Sequence, residues 1–319
     1  MEPRRYLVTG GAGFIGSHLV EALLRRGDEV VVLDDMSTGR RENLEAAFSG
    51  RAAGAPEPRV IEGDIRERSV VSRAIDGVTH VLHQAALPSV QRSVEDPVAS
   101  HAVNATATLG LLMAARDSGV RRFVYASSSS AYGDTPQLPK VETMATQPLS
   151  PYAISKLAGE QYCRVAHAIY GLETVSLRYF NVFGPRQDPN SQYAAVVPNF
   201  VTAALQGKPP VIYGDGRQSR DFTYIDNVVQ ANLKACDAPA TAAGGAYNVA
   251  CGSSVTLLDL IRVLEEIVGT AIRPEHQAPR KGDVRDSLAA IDAARKHLGY
   301  RPEIDLQEGL RRTVAWFRA

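Results

Sequence analysis

The segment Tyr6-Leu-Val-Thr9-Gly10-Gly-Ala-Gly13-Phe14-Ile15-Gly16 joins a short apolar run to a glycine-rich turn and then to a helical pattern. Tyr6–Thr9 reads as a buried parallel strand, since such strands are covered on both faces and lose the polar alternation. Gly10, Gly13 and Gly16 suit a tight turn, close approach of backbone to a pyrophosphate, and close helix–strand packing. Ile15, Leu19, Ala22 and Leu23 then share one helical face, Gly27 ends the helix, and Glu29–Asp34 follows as a second strand. The open amides at the helix start, with its dipole, favour a diphosphate. Asp34 sits at the tip of the second strand, 24 residues past Gly10. A carboxylate there accepts hydrogen bonds from an adenosine ribose and repels a 2′-phosphate, and Asp35 adds to the repulsion. Arg40 and Arg41 argue the other way. NAD is expected over NADP.

A second segment, Tyr152-Ala-Ile-Ser-Lys156, follows the serine run Ser127-Ser128-Ser129-Ser130 by some two dozen residues. Its Tyr and Lys lie one helical turn apart on one face. This arrangement suits proton transfer at a sugar alcohol. An ammonium beside the phenol is expected to lower a tyrosine pKa that is otherwise about 10, and a nearby hydroxyl can steady the same oxygen.

The 319 residues can fill one large or two modest domains, and 35 basic against 35 acidic residues leave no footprint for nucleic acid or an acidic membrane. Cys163, Cys236 and Cys251 lack metal-ligand spacing and read as free thiols in a reducing compartment, hence a cytoplasmic location. His80, His83 and His101 have no suitably spaced Cys or carboxylate partner, so no metal is expected. No signal peptide is visible, and no apolar run approaches a membrane span.

Strand and helix signals alternate as in a doubly wound parallel sheet. Further strands read at 59–61, 78–83, 122–127 and 174–178, and helices at about 97–118 and 152–170. Residues 49–58 read as a flexible surface loop. The expected division is a dinucleotide-binding domain over 1–178, with a return segment at about 226–250, and a smaller α/β substrate domain over 179–319. Gly63-Asp64-Ile65 and Gln84-Ala85-Ala86 each follow a strand at its carboxyl end, where ligands of such sheets lie, and Asp64 is placed to meet adenine.

Gly10–Gly16, Asp34, Ser127–Gly133 and Tyr152–Lys156 together resemble the extended short-chain dehydrogenase/reductase family. The likeness continues through Arg178–Pro185, Gly214-Asp-Gly and Arg220–Asp226, and so spans the chain. Within that family the sequence is similar to UDP-hexose 4-epimerases. It is most like the branch acting on UDP-N-acetylglucosamine, through Leu138–Glu142, Arg186-Gln-Asp-Pro189 and Tyr193–Pro198. The resemblance implies Tyr152 as acid/base, Lys156 as its partner and Ser128 as the hydroxyl on the reacting sugar oxygen. It also implies cofactor contacts from Phe14, Ile15, Thr38, Gly39 and Tyr179. Substrate contacts fall to Ser129, Asn181, Val197, Tyr213, Arg220, Arg280, Asp283, Arg285 and Ser287. Sister dehydratases carry Asp-Glu after the catalytic hydroxyl. Ser129 and Ser130 stand there instead, and neither is a usable acid or base for elimination.

What remains is oxidation at carbon 4, rotation of the keto sugar, and reduction on its other face, with NAD regenerated. Epimerases restricted to glucose and galactose have a bulky tyrosine where Ser287 aligns, so the serine leaves room for an N-acetyl group. A homodimer pairing the helices near 97–118 and 152–170 is expected. Two other readings stay open: a uronic acid epimerase, for which no carboxylate-binding group is evident, and a non-catalytic NAD-binding sensor.

Overall fold

The computed structural model describes residues 4–189, 195–278 and 284–319. Seven parallel strands form its central sheet: β1 (Arg5–Thr9), β2 (Glu29–Asp34), β3 (Arg59–Glu62), β4 (His80–His83), β5 (Arg122–Ser128), β6 (Glu173–Tyr179) and β7 (Ala246–Val249). Their order is β3-β2-β1-β4-β5-β6-β7. The direction of winding therefore reverses between β1 and β4, which opens a crevice outside the strands' carboxyl ends. Six helices go with this sheet: α1 (Phe14–Arg25), α2 (Arg41–Ser49), α3 (Arg68–Ile75), α4 (Pro97–Asp117), α5 (Pro151–Tyr170) and α6 (Ile225–Asp237).

Alternate residues of each strand serve two separate cores. Tyr6 and Val8 pack with Leu19, Val20 and Val228 on the side of α1 and α6. Leu7 packs with Val71, Leu111, Leu112 and Ala166 on the side of α3, α4 and α5. The buried stripe of α1 runs through Leu19, Val20, Leu23 and Leu24, while Ile15 and Ala22 are only half-buried. The helices α2, α3 and Val90–Glu95 do not stand out in the sequence, because each is short. Helix α2 takes Ser49 from the expected loop.

Two further differences concern α4. It contains a π turn at Ala102–Ala107, where the sequence suggests unbroken α-helix. Within that turn Asn104 holds Leu87 at both its N–H and C=O (2.8 and 3.1 Å) and donates to Ser155 Oγ of α5 at 3.1 Å. By length and composition α4 could also cross a membrane, contrary to the expectation for this sequence. Its Ala105, Leu111, Leu112 and Ala115 instead face the interior.

Beyond β6 the chain builds three two-stranded pairs and the helices Val196–Leu205, Leu257–Val268, Asp292–Leu298 and Leu306–Arg318. Asp221, fully buried, joins this region by accepting from the amides of Cys251 (2.9 Å), Gly252 (3.1 Å) and Ala289 (3.2 Å). Burial pushes its carboxyl up to about 6, while the amides favour the charged form. The α6–β7 segment returns to the main sheet, with β7 pairing along β6.

The carboxyl ends of β5 and β6 are fixed by a buried ion pair. Glu160 of α5 accepts from Arg178 of β6 at 2.9 and 2.6 Å and from Ser127 of β5 at 2.7 Å. Arg178 also lies over the Tyr132 ring, 4.7 Å from its centroid. Replacing Arg178 with Met strands the Glu160 carboxylate, which typically costs about 3–5 kcal/mol. The urea midpoint is expected to fall accordingly, with partial recovery in Arg178→Met/Glu160→Gln.

Candidate functional site

A cleft of about 680 Å³ lies at the carboxyl ends of β1, β2, β4 and β5. At its floor the chain leaves β1 through Gly10, whose φ of +66° is left-handed. A Cβ on Gly10 would stand 2.7 Å from the Ala85 nitrogen, and one on Gly16 2.0 Å from the Gly10 carbonyl oxygen. The turn, the first turn of α1 and the exit of β4 therefore meet backbone to backbone. Gly13 begins α1 with no side-chain cap and no acid in the first turn, and Gly13, Phe14 and Ile15 all line the cleft. Unclaimed helix-start amides beside a cradle that any Cβ would fill fit a dinucleotide diphosphate.

One end of the cleft is rich in carboxylates. Asp34, nearly fully buried, accepts from the amides of Ala12 and Met36, each at 2.9 Å. Burial pushes its pKa up against those two hydrogen bonds. Asp35, Thr38, Gly39, Asp64 and Ile65 line the same end. Asp64 is bound by Arg66 at 2.8 and 2.5 Å, which holds its carboxyl below the usual range. It reaches the cleft as half of an ion pair.

At the other end stand Gln84, Ala85, Ala86, Tyr152, Lys156 and Tyr179. Ser150 caps α5 by accepting from the Ala153 amide at 3.1 Å, and Pro151 opens the helix. Tyr152 therefore sits in the first turn and Lys156 one turn on. Lys156 is buried, donates to the Ala126 carbonyl at 2.9 Å, and is brought down to about 8 by burial. Tyr152 departs from expectation. Burial raises its pKa, and the Ser128 hydroxyl opposes the rise. The Lys156 ammonium is directed to backbone. Ser128 is held in turn by Ser130, whose amide and hydroxyl approach its Oγ at 3.2 and 2.9 Å. Ser127 serves Glu160 instead, and Ser129 opens the 3₁₀ turn that follows β5. Tyr179 and Gln84 meet at 3.2 Å, both beside Asn232.

A second cavity of about 280 Å³ adjoins the first, and Ala195 lines both. Asn181, Val197, Tyr213 and Arg220 line it. Asn181, at φ +36°, donates to the Asp221 carbonyl at 2.9 Å and to Ser287 Oγ at 3.3 Å. Sequence positions 106 apart thus meet at one side chain. Ser287 itself is not part of either cavity's lining. Arg285 is exposed, pairs with Asp215 at 3.5 Å and lines neither cavity. Arg280 and Asp283 lie outside the described residues. His83 bonds Thr9 and Thr108 at 2.6 and 2.8 Å, with burial taking it down to about 3. Among the described residues no group of three His, Cys, Asp or Glu could hold a metal.

The sequence did not single out Leu87, Arg92 or Gln187 as lining the cleft, nor Arg40 and Asp188 as a pair across it. Apart from Arg92, in the short helix Val90–Glu95, these come from loops whose approach is set by tertiary contacts. The one available signal was the run Arg186-Gln-Asp-Pro189.

A dinucleotide-type sheet carrying a Ser–Tyr–Lys constellation defines a class of nicotinamide-dependent enzymes. Residues 6–250 match the NAD dependent epimerase/dehydratase family, and the chain belongs to it. A UDP-N-acetylglucosamine 4-epimerase from Methanobrevibacter ruminantium M1, solved with UDP-N-acetylmuramic acid, is similar at 38% identity and TM-score 0.93, covering 100% of this chain and 99% of that one. The UDP-glucose 4-epimerase of Mycolicibacterium smegmatis is 40% identical over 98% of each chain. The UDP-glucuronic acid 4-epimerase of Bacillus cereus, solved with UDP-glucuronic acid and NAD, is 32% identical with TM-score 0.90, covering 98% of this chain and 99% of that one.

Replacing Tyr152 with Phe keeps the ring's packing and removes the phenolic oxygen. Turnover should fall about 10²-fold or more with NAD binding intact. A variant keeping a third of wild-type activity would remove Tyr152 from the chemistry.

Proposed function

We propose that the protein is an NAD-dependent UDP-sugar 4-epimerase that interconverts UDP-N-acetylglucosamine and UDP-N-acetylgalactosamine, and accepts the unacetylated pair as well. The observation carrying the reaction is Tyr152 with Lys156 one helical turn on, both lining the end of a glycine-floored nucleotide cleft. Ser128 and Tyr152 bind the 4-hydroxyl, and Tyr152 takes its proton. When bound, NAD supplies the acceptor and then the donor of the carbon-4 hydride. Lys156, held on Ala126, places positive charge beneath the site. The 4-keto sugar turns about its bond to the diphosphate and presents its opposite face for return of the hydride, while Tyr152 returns the proton to the 4-oxygen.

Residues 1–178 with the return segment are read as the NAD domain, and 179–319 as the nucleotide-sugar domain. Asn181, Val197, Tyr213 and Arg220 would grip the UDP half, with Arg280, Asp283 and Arg285 as further candidates from the sequence. Arg220 suits the diphosphate, since a guanidinium matches phosphate geometry. Its carbonyl contacts at Ser219 and Arg285, both 2.9 Å, orient it at the cavity. Ser129 is read as a sugar contact beside Ser128. The N-acetyl preference is supported by the small Ser287 against Asn181 and by similarity to the M. ruminantium enzyme.

A homodimer is supported by an exposed apolar stripe on α5, Ile154, Tyr162, Val165 and Ile169, beside exposed Val98 of α4. Such a stripe at helical spacing suits a four-helix bundle. The three free cysteines suit a reducing, cytoplasmic setting. Sedimentation should show a particle of twice the 34.4 kDa chain mass at micromolar concentration. A 34.4 kDa particle would reject the dimer.

The reaction itself is tested by NMR of UDP-N-acetylglucosamine incubated with the protein, where the 4-epimer should appear without net absorbance at 340 nm. Ser287→Tyr then tests the pocket. Overpacking typically costs about 1–3 kcal/mol, or roughly 5- to 150-fold in rate. The loss should fall on the acetylated substrate and spare UDP-glucose. Equal loss of both would remove Ser287 as the gate.

A further inference from the structure

Arg40 is the side chain best placed to accept a 2′-phosphate, yet it is already engaged. Its amide is tied to the Ala12 carbonyl at 3.0 Å. The residue before it is so close to Asp34 that a Cβ on Gly39 would stand 2.7 Å from Asp34 Oδ1. An arginine beside the ribose carboxylate is the usual means of accommodating NADP. Here its guanidinium pairs with Asp188 at 2.7 Å, and both residues line the cleft.

Asp188 is held in position by its neighbours. The Pro185 carbonyl meets His18 Nε2 at 3.0 Å, and Arg186 forms an ion pair with Glu21 at 2.5 Å, its side chain only 10% exposed. Both contacts fasten the segment to α1. Burial brings His18 down to about 4, so this tie stays uncharged at neutral pH. Gln187 donates back to the Val182 carbonyl at 3.2 Å. The other arginines at this end are also matched, Arg41 with Glu62 and Arg66 with Asp64.

We propose that Asp188 is a cofactor-specificity residue that acts through Arg40, withholding the guanidinium from a 2′-phosphate and so favouring NAD. It is a positioning residue, contributed from some 150 positions along the chain by the segment that leads toward the substrate cavity. Asp34 repels the phosphate directly, and Asp188 removes the group that would offset the repulsion. The inference rests on the nicotinamide-dinucleotide reading of the cleft.

The purified full chain is equilibrated with a mixture of NAD and NADP, desalted, and its bound nucleotides quantified by chromatography. Wild-type protein should retain NAD in large excess, and retention of neither nucleotide, or of NADP, would overturn the cofactor reading itself. In Asp188→Asn the bound NADP-to-NAD ratio should rise about 5-fold or more, the scale of one ionic contact at 4 Å in water. Adding Arg40→Met should return the ratio to the wild-type value, which a merely structural role for Asp188 would not do. Asp188→Ser, should the asparagine variant fold poorly, must give the same rise. A wild-type ratio in folded Asp188 variants, or a raised ratio that survives Arg40→Met, would overturn the proposal.

Discussion

The architecture depends on a contact in which no side chain is allowed. Gly16 in the first turn of α1 lies against the Gly10 carbonyl, and Gly10 lies against the backbone of Ala85. Three backbones from β1, α1 and the β4 exit converge, and the space beside them is left to a ligand. A methyl at Gly16 would overlap the carbonyl at 2.0 Å and push α1 away from the sheet. The same movement would displace Leu19, Val20 and Leu23 from the core and the helix-start amides from the cleft. Packing and diphosphate binding are thus one constraint.

The catalytic end depends on a second constraint, the charge buried behind it. Glu160 and Arg178 neutralise one another, each with its side chain 5% exposed, and Ser127 satisfies a further carboxylate lone pair. An isolated charge at that depth would be costly, while a bidentate pair with an added hydroxyl is tolerable. The arrangement ties β5, β6 and α5 together immediately behind Ser128, Tyr152 and Lys156. It also accounts for the division of labour in the serine run. Ser127 supports the scaffold and Ser130 steadies Ser128, which leaves Ser128 facing Tyr152.

Backbone-determined parts of the fold were the most legible in sequence. The β1 turn could be read because glycine spacing reports φ and close approach directly, and Asp34 because a strand tip fixes its position. The Tyr152–Lys156 pair was legible as a spacing, but its electrostatics were not. Whether the ammonium faces the phenol or the Ala126 carbonyl is set by how α5 lies on β5, where Gly159 packs against the Tyr125 hydroxyl. The π turn in α4 has no local signature, since Asn104 is drawn by Leu87 and Ser155, both distant in sequence. Motif alignment gives Arg285 a position but not the exposed ion pair that its side chain makes with Asp215.

The two cavities explain how the chain meets conflicting demands on substrate and cofactor. Epimerisation needs the cofactor fixed, the UDP half fixed, and the sugar between them free to turn. The cofactor cleft is floored by strand ends and α1, and the second cavity is walled by Val197 and Phe200 of one helix with Tyr213 and Phe222. Both are built from elements with buried anchors. Among the described residues, Ala195 lines both cavities. A tighter junction would strengthen binding of one epimer at the expense of the other, and binding that favours a ground state equally with the transition state does not raise turnover. On the proposed reading, a sugar held more loosely than either end is what lets one Tyr152 act on both epimers.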